Sequence, residues 1–212
     1  PVLRKVAVFP DGPDSRVNGD IAPVVLDLKP LGQGRYSCAP IRARGRIGFG
    51  VDVVDPANEG ASKLGIHALR ATIDGTELFR VQHDRISYDN RENEIVAYHP
   101  HLLDRGRFLL LWRWPGNVCD ICNQTPSEGW WTIPETPADV RVEAVDFLGN
   151  TATLVVPVTP QQESEARAPA RGGTGRGTAR LECAGTWLML TAAFTAPETE
   201  TPTVTVEGDS SI

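Results

Sequence analysis

"IRARGRIGFGVDVV", residues 41–54, sets the architecture of this chain. Ile41, Ala43, Ile47, Phe49, Val51 and Val53 alternate with Arg42, Arg44, Arg46 and Asp52. A period of two puts successive side chains on opposite faces of an extended chain, one toward a core and the other toward water. Gly45, Gly48 and Gly50 interrupt the run and predict a bulge or a bend where another part of the chain approaches closely. The arginines read as a solvated strand face. An anion site is disfavoured by the whole-chain balance of 21 basic against 27 acidic residues, a net charge of −6.

The same pattern extends outward in both directions. "GIHALRATIDGTELFRVQHD" (65–84) is two strand-like runs around Asp74-Gly75, a dipeptide suited to the positive-φ positions of a tight hairpin turn. "ADVRVEAVDFLGNTATLVVPV" (138–158) predicts a second hairpin around Gly149-Asn150, with Val140, Val142 and Ala144 alternating against Arg141 and Glu143. "RFLLLWRWPG" (107–116) is apolar on both faces, as expected of a strand covered on both sides in the middle of a sheet. "LRKVAVFP", "PVVLDL", "RYSCAP" and "NEIVAYH" add further short strands, and no amphipathic helix precedes residue 160. The expected fold is all-β: an immunoglobulin-like β-sandwich of about eight strands over residues 1–160.

Residues 161–180, "QQESEARAPARGGTGRGTAR", carry no large apolar side chain and predict a flexible linker. Residues 181–212 resume alternation for about three strands, a short β-rich segment that packs on the first domain or starts a second one. At 212 residues, 41% hydrophobic and 23% charged, the chain can bury a core without staples. No apolar run approaches the roughly 20 residues of a membrane helix, and the negative charge opposes a nucleic-acid partner. Pro1 follows no Met, and the start lacks the charged and apolar regions of a signal peptide, so the chain reads as a piece of something longer.

Taken in order, "VAVFPDGPDSRVNGD", "IRARGRIGFGVDVVD", "GIHALRATIDGTELF", "ISYDN", "WPGN" and "VEAVDFLGNTATL" resemble the β-rich region C-terminal to the catalytic domain in lysostaphin-type zinc endopeptidases of the bacterial envelope. The resemblance spans roughly residues 4–156, and the tail from about residue 180 is similar to the segment after that region in some members. It implies a non-catalytic accessory module of an exported protein, in the periplasm, cell envelope or extracellular space. Its partner would be a neighbouring domain of the same protein or another envelope protein, or peptidoglycan or a glycan. The family's zinc motif pairs a His with an Asp four residues on and adds a later His-x-His. None of His67, His83, His99 and His101 is followed by such an Asp, so no catalytic residue is carried over. No cofactor is expected.

"YHPH" (98–101) is nevertheless half of a zinc-like pattern, with Asp104 nearby as a third donor. A metal-dependent hydrolase using His99 and His101 is therefore one alternative. The favoured expectation is a strand end with exposed histidines, where Pro100 stops the pairing. "CDIC" (119–122) has the spacing of a zinc knuckle or redox pair, which Cys38 and Cys183 could complete. As a continuation of the preceding strand it would send Cys119 and Cys122 to opposite faces. In an exported protein a disulfide involving at least one of them is expected, Cys119 with Cys122 being one pairing. Trp130 and Trp131, in a loop rich in Pro, Ser and Thr, are the candidate binding residues for a carbohydrate or protein partner; otherwise they cap an open end of the core. The acidic turn "VDVVDPANEG" lacks the spacing of a calcium loop and reads as turn chemistry.

Overall fold

A computed structural model describes residues 1–57, 62–85, 96–118, 121–123 and 125–162, together with the backbone of 178–184 and 187–193. The chain divides into two units, Pro1–Ala166 and Arg167–Ile212. Most of the predicted linker, the "ISYDN" stretch and the last predicted strand of the tail lie outside the described residues.

The first unit is all-β and sandwich-like. Its strands are β1 (Val2–Val17), β2 (Val24–Asp27), β3 (Lys29–Gly32), β4 (Arg35–Ser37), β5 (Ile41–Ala57), β6 (Ser62–Leu64), β7 (Ala68–Ile73), β8 (Thr76–Gln82), β9 (Phe108–Leu110), β10 (Trp131–Thr132), β11 (Ala138–Val145) and β12 (Thr151–Pro160). The described residues contain no α-helix and one 3-10 turn, Pro100–Leu102. Among the described residues no helix is long and apolar enough to cross a membrane. The twelve strands among the described residues exceed the eight or so read from the sequence because β3, β4, β6 and β10 run for only two to four residues, too few to show a period.

One curled sheet makes both layers, in the order β2-β1-β5-β12-β11-β7-β8. β5 is the strand that turns the corner. On one edge it is antiparallel to β1 along almost its whole length. Its other edge is shared in succession by β12 at Ile41–Ala43, β10 at Arg46–Ile47 and β9 at Gly50–Asp52. β4 and then β5 both lie parallel to β12, Thr153 facing Arg35 and Val158 facing Ile41, so residues 35–43 follow β12 before leaving it for β1. Strands that change layers in this way form the corners of closed sandwiches. The glycines serve the bend: Gly45 has φ +74, lies against Ser15 and faces the register shift between Asp11 and Arg16 of β1. Gly48 and Gly50 leave room for the side chains of Trp112, Trp130, Phe9 and Leu110.

The main core fills the space between the layers, with Val6, Val8, Ile47, Phe49 and Val51 meeting Leu69, Phe79, Val140, Val142, Leu154 and Val156. Each fully buried side chain of this size contributes on the order of 1.5–3 kcal/mol. A second apolar cluster covers the outer face of β1 and β5 with Ala7, Phe9, Leu102, Phe108, Leu110 and Trp112. "RFLLLWRW" is apolar on both faces because it serves both: Leu109 and Leu111 enter the main core, Phe108 and Leu110 the second cluster. β9 lies between β5 and the segment 97–99, whose Tyr98 bridges to Leu109.

Both predicted hairpins form. Asp74 and Gly75 have φ of 50° and 79°, and join β7 to β8 by the expected two-residue turn. The second turn is longer, running from Asp146 to Asn150 between β11 and β12, with Gly149 at φ 85°. Asp146 organises it: its Oδ1 accepts from Leu148 N at 2.9 Å and Asn150 N at 2.8 Å, and its Oδ2 accepts from Asn150 Nδ2 at 2.7 Å.

In the second unit the described residues form an antiparallel pair, β13 (Thr178–Ala184) with β14 (Trp187–Ala193).

Candidate functional site

"YHPH" ends a strand pairing, as expected. His99 is extended, with φ −76° and ψ 111°, and its N–H donates to Phe108 O at 3.1 Å. Pro100, which has no N–H to continue the ladder, then opens the 3-10 turn. The expectation of exposed histidines does not hold for His99, which is 7% exposed. Its imidazole stacks on Phe9 at 4.8 Å between centroids and meets Trp114 at 5.9 Å and His101 at 5.7 Å. Burial of the charged form, with a smaller contribution from the neighbouring His101, pulls its pKa down from 6.5 to about 4. The reason is register: His99 follows Tyr98 on the face of Phe108 and Leu110, which the second cluster seals. Among the described residues no group of three or more His, Cys, Asp or Glu side chains could hold a metal ion. Asp104 is exposed on the turn after them.

Around His99 the fold gathers Trp112, Trp114 and Trp130. Trp112 lies 4.5 Å from Trp114 at 65° and 4.3 Å from Trp130 at 36°. His99 Nδ1, Trp112 Nε1 and Trp114 Nε1 are buried without a hydrogen-bond partner. Edge-on contacts between indoles place ring N–H groups near π faces, a weak substitute for a true acceptor.

Trp130 and Trp131 do not act together. They are consecutive on an extended segment, so Trp130 joins the second cluster while Trp131 packs on the main core. Both are half-buried. Arg46 lies 5.7 Å over the Trp130 ring and pairs with Asp11. Of the arginine stripe, Arg42 and Arg46 are exposed.

Ile121 and Cys122 of "CDIC" do not prolong the strand of "LLLWRW". Residues 121–123 run back along the free edge of β8: Gln82 N donates to Ile121 O at 2.7 Å and Asn123 N to Arg80 O at 2.9 Å, with a bridge between Val81 and Cys122. Arg80 N donates to Asn123 Oδ1 at 2.7 Å, and Arg113 Nη2 donates to Asn123 O at 2.9 Å. The segment thus covers an edge that would otherwise offer unpaired backbone groups. Cys119 and the side chain of Cys183 lie outside the described residues. Cys38 is a free thiol in the gap between β4 and β5, and burial pushes its pKa up to about 11.

Where this cap meets β8 there is a cleft of about 330 Å³, lined by Arg80, Gln82, Asp84, Arg85, Ile121, Cys122 and Asn123. Asp84 is held from two sides: His67 Nε2 lies 2.6 Å from its Oδ1, and Gln82 Nε2 donates to its Oδ2 at 2.5 Å. These contacts, the His67 hydrogen bond first, keep its carboxyl below the usual range. On its other side His67 meets Phe147, centroids 4.9 Å apart. Phe147 is 65% exposed and its neighbour Leu148 is 89% exposed, at the tip of the turn that Asp146 organises.

None of the comparisons with known proteins gives a relative: no family model, no curated protein and no solved structure matches this chain.

Of the cleft residues only Cys122 was singled out in the sequence, and for sulfur chemistry; beside the cleft the apolar pair inside "DFLGN" carried a signal, since two large apolar residues seldom occupy a turn that Gly and Asn define.

Proposed function

We propose that this chain is a non-catalytic accessory module of an exported cell-envelope protein, one that positions or regulates a peptidoglycan endopeptidase domain. The order of the resembling pieces supports that reading, as does the all-β body in which they lie. The observation that carries it is the packing of His99. A zinc ligand of a hydrolytic site needs a ring nitrogen turned to a metal with an open, water-filled position beside it. His99 instead lies sealed among Phe9, Trp114 and His101, with Nδ1 buried and without a hydrogen-bond partner.

Two measurements test the reading together. Protein purified without chelator is expected to hold far less than one equivalent of zinc and to leave peptidoglycan uncut. The reading frame upstream of Pro1 is expected to encode a peptidase domain with the complete His and Asp zinc motif. Stoichiometric zinc that is lost in His101→Ala would overturn the proposal in favour of a metal centre at the histidine pair.

A further inference from the structure

The cleft beside β8 is the place where the described residues leave chemistry unused. Of its charged side chains, Asp84 is occupied by His67 and Gln82, and Arg80 lies 3.8 Å from Glu77. Arg85 is exposed and forms no ion pair with any described residue. Gln82 and Asn123 add carboxamides to the same wall. Among the described residues the cleft therefore presents a guanidinium without a carboxylate partner, and a planar fork of N–H donors is suited to a carboxylate.

A second feature adjoins it independently. His67 touches Asp84 with one edge and Phe147 with its face, so the cleft rim and the apolar hairpin tip are joined through one imidazole. Three hydrogen bonds accepted by the Asp146 carboxylate hold that tip in shape, and they keep Phe147 and Leu148 in water, where apolar side chains gain nothing. An ordered turn that exposes two large apolar residues, joined through His67 to a cleft that carries Arg80 and Arg85, offers both contacts that a terminal residue with an apolar side chain would make.

We propose that this end of the sandwich binds the C-terminal residue of a peptide, its carboxylate on Arg85 with support from Arg80 and its apolar side chain against Phe147 and Leu148. The assignment gives the module a ligand and does not depend on its being attached to a peptidase.

The probe is N-acetyl-glycyl-leucine, titrated into the isotope-labelled full chain and followed by amide NMR shifts. Saturating shifts are expected at residues 80–85, 121–123 and 146–149, with a dissociation constant on the order of millimolar, as a few contacts allow. The C-terminal amide of the same dipeptide, Arg85→Gln and Leu148→Ser are each expected to weaken binding by about tenfold, the worth of one charge-assisted hydrogen bond or one apolar contact. Both substitutions are on exposed side chains, and unchanged shifts elsewhere show that the fold survives. Absence of saturating shifts would overturn the proposal, as would equal binding of the amide, of acetate alone or by the Arg85→Gln chain. Failure here leaves the zinc and reading-frame measurements of the accessory-module reading untouched.

Discussion

The imidazole of His99 lies nearly flat on the ring of Phe9, with centroids 4.8 Å apart and planes 21° apart. Phe9 belongs to β1 and His99 to the segment that covers it, so this contact fastens the second cluster to the sandwich. It also makes the ring's charge state a matter of stability.

His99 binds its proton less readily when folded, at about 4, than the 6.5 of an unfolded chain. Between those values the unfolded state carries more protons, so stability is complete above about pH 6.5 and falls as pH drops toward 4. The difference corresponds to about 3 kcal/mol. His83, whose pKa is also lowered, chiefly by burial, acts in the same direction. Urea denaturation midpoints measured across this range are expected to decline with acidification, and His99→Phe is expected to flatten the slope. An unchanged slope in that variant would show that His99 is not the titrating group.

Asp146 is held ionised, its pKa lowered first by the Asn150 side-chain hydrogen bond. Its carboxylate contribution is therefore present at neutral pH and is lost as pH falls through its lowered folded value. Asp146→Ala is expected to lower the melting temperature and to broaden the amide resonances of 147–149. Asp146→Asn, which keeps an acceptor for Leu148 N, is expected to lose less.

Gly129, with φ +82°, brings its backbone against Leu111 and Trp112 so closely that a Cβ would overlap the Leu111 carbonyl oxygen. Gly129→Ala must both strain a left-handed residue and push the Trp130 loop off the sheet. A loss of more than about 2 kcal/mol is expected in denaturant unfolding, together with a changed near-ultraviolet signal from the Trp112 and Trp130 pair.

Cys38 is half-buried, with its thiol pKa moved from 9.0 to about 11. Only the thiolate reacts with alkylating agents, so at pH 8 its rate is expected to fall by about a hundredfold relative to the unfolded chain. Alkylation monitored by mass spectrometry, native against urea-unfolded, reads this directly.

The alternation of Ile41 to Val53 and the Asp74-Gly75 turn were legible because period and turn chemistry are local properties. The two-faced burial of "RFLLLWRW" was legible for the same reason. The corner made by β5 was not, since its partners β9, β10 and β12 come from residues 108–160, and nothing near residue 41 records them. The fate of His99 depended likewise on Phe9, ninety residues away in sequence. The separation of Trp130 from Trp131 did follow from strand alternation, once an extended backbone was known there. The cleft was invisible for a different reason: its carboxylate, guanidinium and amide groups are commonplace singly, and only the return of 121–123 to β8 assembles them.

The parallel run of residues 35–43 beside β12 carries a kinetic consequence. Thr153 to Val158 must find Arg35 to Ile41 across more than a hundred residues of intervening chain, and Gln161 N then reaches Ala43 O at 2.8 Å to finish the seam. Closing so long a loop is entropically costly and yields few contacts until it is complete, so the unit belongs among slow folders, on the order of milliseconds to seconds. A growing chain released from the ribosome short of residue 151 would hold β4 beside β3 and the start of β5 beside β1, each with the edge that β12 covers left unpaired.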